Sequence, residues 1–192
     1  MRTRTEGKRI EILEAAARTF ASREFHEVLI DRVAADAGVG KGTIYRYFET
    51  KEDLYFATIL HGFDALARAL SDAPPSNQDP ETRLERIAEG VIRFFWTRED
   101  FSKLLMEDGR RFRSRQEELS KRKEALQLLV ERTLADGVTS GAFQVSSVRA
   151  AAILFRGMIR AALDAHRPED TPESLAAAIV GIFVRGVGRL PS

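Results

Sequence analysis

The sequence predicts an all-α fold of about nine helices, on three observations. Apolar residues recur three and four positions apart over most of the chain, the spacing that gathers side chains on one helical face. Residues that start and stop helices punctuate this periodicity. No period-two alternation marks a strand, and no internal repeat with a period of about 20 to 50 residues is present.

The elements follow in order. Ile10, Leu13, Ala17 and Phe20 share a face of a first helix over 8–21, with charges between them. Phe25 and Val28 to Ile30 lead into Val33, Ala34 and Ala37, a short second helix stopped by Gly38. Val39 and Gly40 fill a turn, and a third helix over 41–47 keeps Ile44 and Phe48 on one side. Thr50, with Asp53 three residues on, forms a capping-box pattern before Leu54, Ala57, Leu60 and Ala65, so a fourth helix runs to about Leu70. Residues 72–80, Asp-Ala-Pro-Pro-Ser-Asn-Gln-Asp-Pro, are loop chemistry and the clearest break in the chain. Leu84, Ile87, Val91 and Phe95 mark a fifth helix ending near Thr97, and a short segment with Phe101, Leu104 and Leu105 follows. A long helix from about Arg111 to Asp136 is closed by Gly137, which opens the loop Gly-Val-Thr-Ser-Gly. Val148 to His166 form an Ala-rich helix. Thr171, Pro172 and Glu173 then supply an N-cap, a first-position proline and a first-turn acid for a last helix to about Val187.

The whole-chain properties narrow the function classes. A hydrophobic share of 44% beside 31% charged residues describes a folded globular protein, and 192 residues suffice for one large domain or two small ones. Cys is absent, which removes disulfides, thiolate nucleophiles and Cys-based metal sites. The apolar stretches are shorter than a membrane span and the N-terminus lacks a signal-peptide core, so a cytoplasmic location is expected. A net charge of +1 gives no general attraction to nucleic acid. Residues 1–9 do carry four basic groups against one acid, a local +3 that suits either a minor-groove arm or an ordinary solvated terminus.

Two local costs single out residues 28–48 and the start of the fourth helix. With Ile44 inward, Gly42 and Arg46 face outward and Thr43 and Tyr45 flank them. Gly42 costs about 1 kcal/mol relative to Ala unless something must approach the backbone. A duplex edge in the major groove is such an object, and it rewards donors such as Lys41, Arg46, Thr43 and Tyr45. Lys51, a cation in a first helical turn, opposes the macrodipole and invites a phosphate as its partner. The bland readings are a casual glycine and a surface lysine.

The stretch Val33-Ala34-Ala35-Asp36-Ala37-Gly38-Val39-Gly40-Lys41-Gly42-Thr43-Ile44-Tyr45-Arg46-Tyr47-Phe48, followed by Lys51-Glu52-Asp53-Leu54, closely resembles the DNA-binding domain of the TetR family, a likeness covering roughly residues 8–60. The resemblance implies a homeodomain-like helix-turn-helix domain over 1–53. It further implies a helical ligand-binding and dimerisation bundle over 54–192, the two being connected by the fourth helix. By resemblance, Lys41, Gly42, Thr43 and Tyr45 face base edges or their immediate backbone, Arg46 is a more variable contact, and Tyr47 and Lys51 hold phosphates. Val28 and Leu29 stand where the family often has a hydroxyl residue that caps the second helix and touches phosphate; Asp31 is expected to satisfy part of that helix's free N–H groups instead. Gly40 stands where Ser is frequent, with little loss as a cap.

The resemblance also implies a homodimer that binds double-stranded operator DNA and a small-molecule effector. Val91, Phe95, Phe101, Leu104, Leu105, Leu126 and Met158 are candidates for an apolar pocket between helices, with core packing as the plainer alternative. Gly157, Ala161, Ile179, Ile182 and Phe183 are candidates for the dimer interface, because small residues among large apolar ones let helices approach closely. Residues 110–123 hold seven basic groups against two acids, mostly a solvated face; an Arg among them turned inward would favour an acidic ligand such as a carboxylate or acyl thioester. His26, His61 and His166 have no metal-ligand spacing, and no nucleophile elbow, P-loop or dinucleotide fingerprint occurs, so no metal, cofactor or enzymatic activity is expected. The expected function is a sequence-specific regulator, a repressor released from a palindromic operator by a small, largely apolar ligand. A regulator of the same fold without an inducer, and a helical-bundle enzyme or lipid carrier, are the alternatives.

Overall fold

The computed structural model describes residues 4–71, 78–107 and 116–187. Among these residues the chain forms nine α-helices and no strand: α1 Arg4–Ala21, α2 Ile30–Asp36, α3 Lys41–Tyr47, α4 Lys51–Ser71, α5 Pro80–Thr97, α6 Glu99–Glu107, α7 Gln116–Thr139, α8 Val148–Ala165 and α9 Pro172–Val187. A single 3-10 turn, Phe25–Glu27, precedes α2. Most of the proline-rich break, the basic residues Arg110, Arg111, Arg113 and Arg115, and the first three residues of the N-terminal arm lie outside the described residues.

The helices group into two compact units that are not contiguous in sequence. The first comprises residues 1–65 and 98–119, so it holds α1, α2, α3, the first part of α4, and α6. Ile12, Leu13, Phe20, Val33, Ile44, Phe48 and Leu54 are its buried apolar centre. Helix α6 joins these N-terminal helices because Phe101 is fully buried and presses on Gly62 of α4, where a side-chain carbon would lie 2.7 Å from the ring. Only a residue without Cβ accepts the ring at that distance.

The second unit comprises residues 66–97 and 120–192. Its core joins Leu84, Ile87 and Ile92 of α5, Val130 and Leu134 of α7, Phe155 and Ile159 of α8, and Ile179, Val180 and Phe183 of α9. Phe155 and Phe183 meet edge to face at 5.0 Å, and Arg83 of α5 reaches Asp136 of α7 at 2.6 Å.

Two helix ends differ from expectation. Helix α5 begins inside the stretch read as loop, because Asp79 caps it by accepting from the Thr82 amide at 2.9 Å, with Pro80 in the first helical position. Helix α7 continues through Gly137 to Thr139 instead of stopping there. Gly137 is small for a packing reason, since the Phe143 ring covers it, and the left-handed residue that turns the chain is Gly141, at φ +78°.

Candidate nucleic-acid interface

The turn between α2 and α3 is built from the backbone outward. Gly38 takes φ +61°, the Gly38 amide donates to Ala35 O at 3.1 Å, and the Val39 amide donates to Ala34 O at 2.9 Å. This is the Schellman arrangement, which satisfies the last carbonyls of α2 and redirects the chain through a left-handed residue. Gly40, extended at φ −75° and ψ 150°, then starts α3.

Ile44, 1% exposed, and Phe48 anchor α3 to the core of the first unit. At 100° per residue this fixes the outward face. Lys41, Gly42, Tyr45 and Arg46 are exposed, and Thr43 and Tyr47 are half-buried beside them. Tyr45 leaves 45% of its surface open, a large aromatic side chain partly exposed on the outer face of the helix. A methyl group added at Gly42 would meet no other atom within 4 Å, so nothing inside the protein requires glycine there. Tyr47 donates to Thr5 O at 3.3 Å, tying the end of α3 to the start of α1, and the Arg46 guanidinium lies over its ring at 5.6 Å.

The capping box at Thr50 and Asp53 forms in both directions, at 2.9 and 3.0 Å. Lys51 beside it finds partners within the chain. Its Nζ donates to Phe25 O at 2.7 Å and Val28 O at 3.0 Å, and stands 4.5 Å from the centre of the Phe25 ring. Both carbonyls belong to the 3-10 turn or to the residue that ends it, so the cation ties this turn to the start of α4. The turn is pinned from its other side as Phe25 and Phe20 both pack on Tyr55, at 5.1 and 4.8 Å. The expectation for Asp31 changes. Leu29, at the N-cap of α2, offers no side-chain cap, and the Asp31 carboxylate accepts from Lys41 Nζ at 2.7 Å. That carboxylate holds the Lys41 ammonium above the usual lysine range. Leu29 itself is exposed, whereas Val28 is buried. Sequence reasoning had not placed the ion pair, although Asp31 lies in the first turn of α2 and Lys41 is the first residue of α3.

The candidate pocket residues divide between the units. Phe101 and Leu104 are buried in the first, where Leu105 is half-buried; Val91, Phe95, Leu126 and Met158 are half-buried in the second. Of the candidate interface residues, Gly157, Ala161 and Ile182 are exposed. Ile179 and Phe183 are corrected to core positions, each 6% exposed, because α9 turns that face onto α5 and α8. Ile153 and Leu154 of α8, absent from the expected set, are exposed at 53% and 66%. Among the described residues no group of three metal-ligating side chains converges and no helix is long and apolar enough to cross a membrane.

Comparison with known proteins gives a consistent answer. Residues 12–58 match the pattern of bacterial regulatory proteins of the tetR family, and residues 77–187 match a tetracyclin repressor-like C-terminal domain. The chain is 31% identical over 87 residues to the HTH-type transcriptional activator FasR of Mycolicibacterium smegmatis, covering 45% of this chain and 40% of that one. It is 29% identical over 138 residues to the HTH-type transcriptional regulator YhgD of Bacillus subtilis, covering 69% and 70%. Among solved structures, PfmR of Thermus thermophilus superposes with a TM-score of 0.76 at 22% identity, over 93% of this chain and 99% of that one. FadR of Bacillus subtilis in complex with stearoyl-CoA does so with a TM-score of 0.80 at 18% identity, over 93% and 98%.

Proposed function

The chain belongs to the tetR family of bacterial regulatory proteins, DNA-binding transcriptional regulators, and from that premise we propose that it is a cytoplasmic homodimeric repressor, not an enzyme, released from a palindromic operator by a small, largely apolar effector. The observation that carries the DNA-binding reading is the outer face of α3. Lys41, Gly42, Thr43, Tyr45 and Arg46 line it, a side chain at Gly42 would meet nothing within 4 Å among the described residues, and Tyr45 is 45% exposed. In a major groove, Lys41, Thr43, Tyr45 and Arg46 donate to base edges or adjacent phosphates, Gly42 lets the helix backbone close on the duplex, and Tyr47 faces a phosphate. Lys51 acts at one remove, by holding the 3-10 turn that leads into α2.

The apolar face of Ile153, Leu154, Gly157, Ala161 and Ile182 supports dimerisation through α8 and α9. A two-fold dimer sets two copies of α3 in successive major grooves about 34–36 Å apart. An effector releases such a dimer only by preferring a conformation with a different spacing, and α4, which contributes residues to both units, is the element to transmit it. The half-buried apolar side chains Val91, Phe95, Leu126 and Met158 support an apolar effector, and the fold shared with FadR, solved in complex with stearoyl-CoA, supports an acyl chain as its class. Activation instead of repression is the second reading, favoured by the likeness to FasR.

Selection of bound duplexes from a random pool, at two salt concentrations, tests the DNA reading by separating phosphate attraction from sequence readout. A palindromic motif is expected, and Tyr45→Ala is expected to weaken binding to it. A folded Tyr45→Ala dimer with unchanged affinity would show that α3 is not the recognition helix. Reporter expression from a promoter carrying the motif distinguishes repression from activation.

A further inference from the structure

The ion pair between Asp31 and Lys41 has no evident structural purpose. Asp31 lies in the first turn of α2 and Lys41 is the first residue of α3; their side chains are 65% and 50% exposed, and their charged atoms are 2.7 Å apart. An ion pair in that setting contributes little to stability. Nor does Asp31 cap its helix, since α2 starts without a side-chain cap. On a surface meant for a polyanion, a carboxylate repels every phosphate and every base-edge acceptor. It becomes favourable only where the duplex offers an N–H donor, and in the major groove those donors are cytosine N4 and adenine N6.

We propose that Asp31 and Lys41 act together as a base-pair reader, Asp31 accepting from N4 of a cytosine while Lys41 donates to O6 or N7 of the guanine paired with it. The inference rests on α3 entering the major groove. The pair carries an acceptor and a donor side by side, and a C·G pair carries a donor beside two acceptors on its major-groove edge. An A·T pair is the poorer match. Its amino group sits between two acceptors, and the thymine methyl would be pressed against a charged carboxylate. Helix α3, Lys-Gly-Thr-Ile-Tyr-Arg-Tyr, has no carboxylate of its own, so the acceptor-only contact comes from Asp31 of α2. Asp31 therefore contributes discrimination: it makes the wrong base pair costly without adding to the backbone attraction shared by all sequences.

The test is selection of bound duplexes by the full-length protein, by Asp31→Asn and by Asp31→Ala, each verified as folded by circular dichroism. The wild type is expected to select C·G at one position of each half-site. Asp31→Ala should make that position degenerate, with discrimination there falling about fivefold or more. Asp31→Asn should move it towards adenine, because an amide pairs bidentately with adenine N6 and N7. Identical motifs from all three proteins would overturn the reader, as would a degenerate position that was not C·G in the wild type. A wild type that enriches no sequence overturns the operator reading as well, so the two failures are distinct.

Discussion

Arg98 lies eighty-four residues beyond Glu14 in the chain, yet its Nη2 donates to Glu14 Oε2 at 2.6 Å. The other carboxylate oxygen faces His61 Nε2 of α4 at 3.0 Å, and the Arg98 guanidinium also covers the Phe101 ring at 4.6 Å. One carboxylate on α1 thus holds α4 and the start of α6 above a buried aromatic plug. The ion pair is about one-third exposed on each side, which limits its worth. Arg98→Gln removes it together with the cation–π contact, for an expected loss of about 1 kcal/mol. In a chain of this size that lowers Tm by roughly 2–4 °C, measurable by thermal unfolding. An unchanged Tm would mean that α6 is held by its buried apolar residues, Phe101 and Leu104, without the ion pair.

The same carboxylate sets a pH dependence. Its hydrogen bond with His61, and next the Arg98 charge, hold the Glu14 pKa below the usual glutamate value against the opposing effect of burial. A depressed folded-state pKa contributes stability above the unfolded-state value, and that contribution disappears as pH falls through the folded-state pKa. Glu14→Gln should therefore be less stable than the wild type near neutrality, with the gap closing below about pH 4. Urea midpoints at several pH values check the sign, and a gap that widened in acid would contradict it.

Lys51 provides a test that separates a structural from an electrostatic role. Its two short hydrogen bonds go to the carbonyls of Phe25 and Val28. Lys51→Met should strip them of a charged donor and cost about 1.5–3 kcal/mol. If Lys51 instead served a phosphate, stability would hold and the slope of log affinity against log salt would shrink by about 1. Urea unfolding and a salt titration of DNA binding read the two quantities independently.

What was legible in the sequence divides along the range of the interaction. Helix starts written in adjacent residues were visible, as at Thr50 with Asp53 and at Thr171 with Pro172, because a cap and its amide lie within one turn. Asp79 and Pro80 carry the same signal, but it was submerged in a run of loop-forming residues. The outward face of α3 followed from Ile44 alone. Hidden features depend on partners far along the chain or on an unmarked turn: Lys51 on carbonyls more than twenty residues earlier, and the inward orientation of Ile179 and Phe183 on which helices flank α9.

Glycine makes the same distinction testable. Gly42 and Gly137 both sit in helices, where alanine is the better residue by about 1 kcal/mol. Space around Gly42 is open, so Gly42→Ala should leave stability equal or higher while weakening operator binding. At Gly137 an added methyl would run into the Phe143 ring, and Gly137→Ala should destabilise by about 1–3 kcal/mol. Opposite signs from one substitution, read by urea unfolding, would locate the reason for Gly42 outside the chain. Unchanged DNA affinity in Gly42→Ala would remove the case for close backbone approach.

The proposed dimer face is tested by two isoleucines one turn apart on α9. Ile182 is 61% exposed, whereas Ile179 belongs to the core of the second unit. A charge at Ile182 leaves the folded chain's own packing intact but puts a carboxylate where the partner's apolar face would lie. A charge at Ile179 has no water to solvate it even in a single chain. Ile182→Glu should thus yield folded monomers by sedimentation velocity, and Ile179→Glu should yield poorly folded protein. The monomers should also bind operator DNA more weakly, by about 10²–10⁴, because two half-sites are no longer engaged through one linked pair of recognition helices. An Ile182→Glu protein that remained dimeric would move the interface away from α9, and with it the surface that fixes the separation of the two recognition helices.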